Sequence, residues 1–345
     1  MAKKYKKASD IKVAVVGYGG AFNMGKSHLN MMQAAGMTPA AVIEIDKDRL
    51  KVAETDFPGI ETYSSVAAML KKSEVDLVTI ITPHNTHAKL AVQCLAAGRH
   101  VVTEKPFAIT TAECDRMISE AKKNKLMLST FHNRHWDGWI LEALKHINAG
   151  KIGQIIRVDA TSGGYGQPRD WWRTSKSISG GILYDWGVHI LEYILQALGD
   201  DQMVEVSGFA HNGHWAPKTR WKNDTNEDEA NAVVRFKSGA MLNLRLTAID
   251  TRPRPDWVTF TGTKGTYVMN SGGWELVQQK GQNTVITKGP NPPGESQKYY
   301  DNISAHLTKG ETLVITPELA RRPIHILDLA DKSAKQGKAM KVKYK

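Results

Sequence analysis

Ile11-Lys12-Val13-Ala14-Val15-Val16-Gly17-Tyr18-Gly19-Gly20-Ala21-Phe22-Asn23-Met24-Gly25 is the stretch on which the reading of the fold turns. Residues 11–16 form a short β-rich run that Gly17 stops, and a helix is expected from about residue 25 to residue 35. A strand running through a glycine-rich turn into a helix presents unpaired backbone N–H groups at the helix start, and glycines let an anion approach them. A Gly-x-Gly alone is weak, and a glycine-rich turn without a ligand is the bland alternative. Its position between a strand and a helix supplies the context that a dinucleotide pyrophosphate site requires.

Working outward, the alternation continues. Strands are expected at residues 40–45, near 61–63, and at 76–81, 100–103 and 126–130, with helices from 47, through 67–70, and at 88–97 and 111–122. Asp76-Leu77-Val78-Thr79-Ile80-Ile81 reads as a strand covered on both faces. This spacing predicts an α/β fold with a doubly wound parallel sheet. Glu44 closes the second strand and suits ribose hydroxyls, which favours NAD, whereas Lys47 and Arg49 leave NADP open. Two later strand ends, Thr82-Pro83-His84-Asn85-Thr86-His87 and Thr103-Glu104-Lys105-Pro106, carry polar groups at the ligand-binding edge. Lys105 at such a place can hold a hydroxyl and stabilise a developing alkoxide, or be a surface charge in a turn. His84 and His87 can equally cap the next helix.

From about residue 131 the pattern changes. A helix ends at Ala149, a strand follows at 154–160, and residues 162–179 are rich in Gly and Trp and hold Tyr165, Trp171, Trp172 and Arg173. Then comes Ser179-Gly180-Gly181-Ile182-Leu183-Tyr184-Asp185-Trp186-Gly187-Val188-His189, opening a helix that ends at Gly199. Helical spacing puts Asp185 and His189 on one face, and the paired glycines admit another chain segment or a ligand. An imidazole one turn from a carboxylate can transfer protons, or can be an unremarked helix edge. Strands dominate afterwards, at 203–210, 230–236, 240–247, 257–262, 266–269, 274–277 and 284–287, with helices near 299–308 and 317–336. This is an α+β layout with a mostly antiparallel sheet. Residues 211–228 form a polar loop long enough to be a lid or a subunit contact.

The 345-residue chain is 41% hydrophobic and 23% charged, ordinary for a globular protein of two domains or one large one. Its net charge of +11 sits largely on terminal lysines without clustered Arg and interleaved aromatics, which argues against nucleic acid as a partner. No run approaches the length of a membrane span, and the charged N-terminus lacks the apolar core of a signal peptide. Cys94 and Cys114 are the only cysteines, which fits a reducing, cytoplasmic compartment. Three His-x-x-His pairs (His84/His87, His132/His135, His211/His214) lack a third ligand, and no metal site is expected. The nine tryptophans suit sugar faces and a hydrophobic core equally well.

Several of these pieces together resemble the Gfo/Idh/MocA family of NAD(P)-dependent oxidoreductases over nearly the whole chain. The carriers are Gly17-x-Gly19 with Gly25-x-x-His28, Glu44, Thr82-Pro83-x-x-x-His87, Glu104-Lys105-Pro106, Asn133-Arg134, Trp172-Arg173, Gly180-Gly181-x-x-x-Asp185-x-Gly187-x-His189 and Gly262-Thr263-Lys264-Gly265. The resemblance implies a dinucleotide-binding Rossmann domain over residues 1–131. It implies a substrate-binding and oligomerisation domain over 132–345, assembled as a dimer or tetramer through an open sheet. It implies Lys105, Asp185 and His189 as the catalytic group. Gly17, Gly19, Gly20, Gly25, Glu44, Thr82, Pro83, His87, Glu104 and Lys105 would hold the nucleotide. Arg134, Tyr165, Trp172, Arg173, Asp185 and His189 would face the substrate. One departure stands out: three extra residues precede Gly25, so either Gly20 or Gly25 takes the third-glycine part.

The expected activity is hydride transfer between NAD and a secondary hydroxyl or keto group of a sugar, glycoside or cyclitol. His189 would take the hydroxyl proton, Lys105 would hold the oxygen and Asp185 would orient the substrate. Two alternatives share the fold: an NAD-dependent glycosidase that oxidises its sugar only transiently, and a dinucleotide or sugar sensor without turnover.

Overall fold

The computed structural model describes residues 5–342, which divide into two compact units. The first comprises the chain up to Asn133 together with Gln297–Arg321. The second comprises Arg134–Ser296 and the segment from Arg322 onward. The helix near residue 300 therefore belongs to the first unit, whereas a single cut at 131/132 assigns it to the second. Tyr299 and Tyr300 explain the return: both are fully buried against first-unit side chains, Tyr299 giving its hydroxyl to Ser129 at 2.9 Å.

In the first unit, strands β1 (Lys12–Val16), β2 (Thr38–Ile43), β3 (Glu61–Tyr63), β4 (Leu77–Ile80), β5 (His100–Thr103) and β6 (Leu128–Thr130) form one parallel sheet in the order β3-β2-β1-β4-β5-β6. Helices α1 (Met24–Ala34), α2 (Lys47–Asp56), α3 (Val66–Lys72), α4 (His87–Ala96) and α5 (Thr111–Asn124) connect them. All four residues of β4 and of β5 are buried, as apolar runs with helices on both faces should be. Local signals set the helix starts. Asp46 caps α2, Ser65 caps α3, and Thr110 with Glu113 makes a capping box on α5. The strand order reverses between β1 and β4, and the crevice at the carboxyl ends there is where a nucleotide binds in such sheets.

The second unit is built on a nine-stranded sheet, β14-β13-β12-β11-β7-β10-β9-β8-β15. Its strands are β7 (Ile155–Gly163), β8 (Met203–His211), β9 (Glu229–Phe236), β10 (Met241–Thr247), β11 (Val258–Gly262), β12 (Gly265–Asn270), β13 (Gly273–Lys280), β14 (Asn283–Gly289) and β15 (Met340–Lys341). Among the described residues of this sheet only the β7–β10 pairing is parallel. Side chains alternate across it. Ala232, Val234, Leu242, Leu244 and Phe260 are buried, while Asn231, Asn243, Arg245 and Thr259 line the opposite, polar face. Helices α6 (Gly138–Asn148), α7 (Lys176–Ser179), α8 (Ile182–Leu198) and α10 (Pro317–Gln336) accompany it, with α9 (Lys298–Lys309) in the first unit. Gly187 lets α8 lie close on β10: a Cβ there would already touch Leu244 at 3.4 Å. No helix among the described residues is long and apolar enough to cross a membrane.

Candidate active site

The glycine turn is held by backbone packing. Gly17 sits at φ +104°, and a Cβ on it would come within 3.0 Å of the Ile81 carbonyl oxygen. Gly25, in the first turn of α1, is tighter still: a Cβ would lie 2.6 Å from the Gly17 oxygen and 2.6 Å from the Tyr18 ring. The same probe at Gly20 meets only the Arg49 side chain, and at Gly19 nothing within 4 Å. Gly25 therefore makes the close helix-to-strand contact that a third glycine makes, and the three extra residues form the bulge before it. Asn23, left-handed at φ 49°, turns that bulge into α1.

Glu44 braces the turn. Its carboxylate accepts from the Tyr18 amide at 2.6 Å, the Ile45 amide at 2.7 Å and the Asp46 amide at 3.1 Å. Arg49 lies across the same loop, giving Nε–H to the Tyr18 carbonyl at 2.9 Å and Nη2 to Asn23 at 3.4 Å. An open Gly19, two glycines that a Cβ would jam, a helix start behind them and an acid at the end of β2 fit a dinucleotide.

The edge residues of β4 and β5 are tied together. His87, fully buried, meets the Thr82 carbonyl with Nε2 and the Pro106 carbonyl with Nδ1, both at 2.8 Å. Burial pushes this imidazole below its usual range, against the pull of those carbonyls and of Glu104 and Glu113. Glu104 accepts from the Lys105 amide at 2.9 Å and from His28 Nε2 at 3.1 Å, while His28 Nδ1 meets the Tyr300 hydroxyl at 2.6 Å. Burial alone would raise the Glu104 pKa. The His28 hydrogen bond and the nearby His28 and Lys105 charges outweigh it and hold the carboxyl below the ordinary range. Lys105 thus follows an anchored acid, across a cis bond to Pro106.

In the second unit, α8 carries Asp185 and His189 one turn apart. Arg173 Nη1 donates to both Asp185 oxygens, at 2.8 and 3.0 Å. Its guanidinium also lies 5.2 Å from each of the Trp171 and Trp172 ring centres, a cation–π seat. His189 is only 5% exposed, with the Trp186 ring 5.7 Å away. Arg134 lies 5.0 Å over that Trp186 ring and donates to Asp137 at 3.0 Å. Tyr165 is exposed, its ring tilted 60° to that of Trp215 at 5.4 Å between centres.

The paired glycines admit another chain segment. A Cβ on Gly181 would meet Glu227 at 2.7 Å, and Glu227 accepts from the Ile182 amide at 2.9 Å, capping α8 from the 211–228 loop. Lys176 pairs with Glu227 at 2.5 Å and with Asp331 at 2.9 Å. The two polar segments read separately in the sequence are one hydrogen-bonded layer. Asp224 accepts from the Ser177 amide at 2.9 Å and from the Ser175 hydroxyl; Asn226 donates to the Arg173 carbonyl at 2.7 Å; Arg220 N–H reaches Asp170 at 2.9 Å.

Family models match both units. One described as "Oxidoreductase family, NAD-binding Rossmann fold" covers residues 11–132, and the GFO/IDH/MocA C-terminal domain covers 140–268, together more than half of the chain. The chain belongs to the Gfo/Idh/MocA oxidoreductase family. Its first unit is the family's NAD-binding Rossmann domain, and NADP stays open alongside NAD. Among curated relatives, scyllo-inositol 2-dehydrogenase (NADP(+)) IolW of Bacillus subtilis is 22% identical, matched over 100% of this chain and 99% of its own. Levoglucosan dehydrogenase of Pseudarthrobacter phenanthrenivorans is 28% identical over 80% of each chain. Three further curated relatives are matched over only 42–55% of their own length. A solved NAD-binding protein from Listeria innocua superposes with a TM-score of 0.82 at 25% identity, covering 96% of both chains.

Membership leaves some of the site's working parts unread in the sequence. Lys176, Glu227 and Asp331 act together only because the fold brings three distant positions to one helix end. Glu192 carried a local signal, being an acid inside the otherwise apolar run 190–195.

Proposed function

We propose that this family member is an NAD-dependent dehydrogenase acting on a secondary hydroxyl of a sugar or cyclitol, with Lys105, Asp185 and His189 as its working group. The observation that carries the assignment of roles is the Arg173–Asp185 pair. With both oxygens of Asp185 engaged by a guanidinium, that carboxylate serves to orient substrate hydroxyls. Proton acceptance falls to the imidazole one turn further along the same helix. Lys105 holds the substrate oxygen as it gains negative charge, and Glu104, anchored by His28, which in turn meets Tyr300, fixes the backbone from which Lys105 extends. NAD, which the Gly17–Gly25 turn and Glu44 would hold, would supply the hydride acceptor for the carbinol carbon, and His189 would receive the substrate's O–H proton. Arg173 between Trp171 and Trp172, Arg134 over Trp186, and the exposed Tyr165 offer flat aromatic faces and donors suited to a polyhydroxylated ring. The names of IolW and of levoglucosan dehydrogenase support that substrate class. A homodimer or homotetramer through the polar face of the nine-stranded sheet accompanies this reading.

The test is a screen of NAD reduction and NADH oxidation across inositols, aldoses and glycosides. Turnover of at least one polyol, with stoichiometric NADH, supports the reading. Glycoside cleavage without NADH accumulation replaces it with transient oxidation, and binding without any turnover replaces it with a sensor.

A further inference from the structure

His189 is 5% exposed, so a proton taken from substrate has to leave a buried ring before the next turnover. The groups beyond it on α8 are unusual for a helix interior. Glu192 is three residues on, 2% exposed, in a run otherwise made of Ile190, Leu191, Tyr193, Ile194 and Leu195. Residues three apart share a helix face, which puts Glu192 on the same side of α8 as His189. Its Oε1 meets Nδ1 of His135 at 2.5 Å, and Gln196 Nε2 donates to its two oxygens at 3.0 and 2.9 Å. His135 sits on a short turn before α6 and keeps 18% of its side chain exposed. A buried acid joined by a short contact to a histidine that reaches the surface is a costly arrangement for packing alone.

We propose that Glu192 and His135 form the proton outlet of His189, an inference that rests on the hydroxyl-oxidation reading above. In the oxidation direction the His189 imidazolium passes its proton to the Glu192 carboxylate through an intervening water. Glu192 passes a proton to Nδ1 of His135, and His135 releases its Nε2 proton to solvent. No electrons move along this path, and one proton leaves for each hydride transferred. In the reduction direction the same groups run in reverse. Gln196 is the orienter: its amide holds the carboxylate toward His135. Neither Glu192 nor His135 touches substrate in this scheme; both act through His189.

The test uses the 345-residue chain and the best polyol from the screen, with steady-state NADH formation over many turnovers at saturating NAD. His135→Ala is expected to lower that rate by ~10-fold or more, with NADH affinity and KM within about threefold of the parent. Added imidazole should restore several-fold of the lost rate, and the solvent deuterium isotope effect should rise. Glu192→Gln should be slow in the same way but insensitive to imidazole. If Glu192→Gln does not fold, His135→Ala decides alone, because His135 is partly exposed. A parental rate in His135→Ala, or a slow rate that imidazole does not restore, overturns the outlet. A parent that turns over no hydroxyl substrate overturns the dehydrogenase reading instead, and shows before any variant is made.

Discussion

The glycine turn of the first unit and the start of α8 in the second both hold a functional corner in place, by opposite means. At the turn the backbone does the work: Gly25 lies against the Gly17 carbonyl, and the Glu44 carboxylate is filled by three amides within one loop system. At α8 the work is done by charged side chains from remote positions. Glu227 caps the helix, Lys176 pairs with Glu227 and with Asp331, and Arg173 holds Asp185. At Gly17 and Gly25 the first corner has no room for an added atom, whereas the second depends on every charge having its partner.

The largest expected effect tests the backbone side of that contrast. Gly25→Val forces an atom into a gap already closed at 2.6 Å, an overpacking cost of ~1–3 kcal/mol. Concentrated at the nucleotide turn, this should weaken NADH binding by about 10- to 100-fold in a fluorescence titration. Gly20→Ala, which meets only the movable Arg49 side chain, should stay near parental affinity. Equal losses from the two would remove the assignment of Gly25 as the packing glycine.

On the charged side, Glu227→Ala strips the α8 cap and leaves Lys176 with Asp331 alone. A stability loss of ~2 kcal/mol is expected, below that of a fully buried pair because Lys176 keeps 28% of its side chain exposed. Asp331→Ala should cost less, since Glu227 remains to hold Lys176. Chemical denaturation of both variants checks the order, and an Asp331 loss exceeding the Glu227 loss would reverse the account of which acid anchors the helix.

Acid should act on both corners together. Glu104 is held below its usual range by His28 and Lys105 despite burial, and Asp224 by the Ser175 and Ser177 donors despite burial. A carboxylate with a depressed folded pKa lends stability that is present above its unfolded value, near 4, and is lost as pH falls through the lower folded value. Stability should therefore hold down to about pH 4 and fall below it. Asp224→Asn should flatten that fall, and an unchanged slope would show that Asp224 does not contribute.

The smallest effect concerns nucleotide choice. Arg49 stands beside the turn next to Glu44. Arg49→Ala should weaken NADPH relative to NADH by about fivefold, the scale of an exposed charge pair near 1 kcal/mol. An unchanged ratio would free Arg49 for a purely structural part in bracing the Tyr18 carbonyl.

The same contrast explains what could be read in the amino-acid sequence. Apolar runs such as 77–80, the glycines and the caps at Asp46, Ser65 and Thr110 act over a few residues, so the doubly wound sheet was legible. Gly25 against Gly20 was not, because the choice depends on where Arg49 and Tyr18 lie in space. The second-unit strands at 273–280 and 283–289 run well past the apolar residues that mark them, since pairing with a neighbour extends a strand through polar positions. The return of α9 to the first unit was hidden for a related reason. Tyr299 and Tyr300 read as any buried aromatic pair until their hydroxyls are seen on Ser129 and His28. At α8, Asp185 and His189 were visible by their spacing, while Arg173, Lys176 and Glu227 became partners only through the hydrogen-bonded layer of the two polar loops.

The central claim is that His189 takes the proton of a substrate hydroxyl that Lys105 holds. Stopped-flow NADH formation with the best polyol, comparing the parent with His189→Ala and Lys105→Ala under saturating NAD, tests it most directly. The account predicts that both variants form NADH ~100-fold or more slowly and that the His189 variant still binds NADH like the parent; parental rates in the His189 variant with nucleotide binding intact would contradict it.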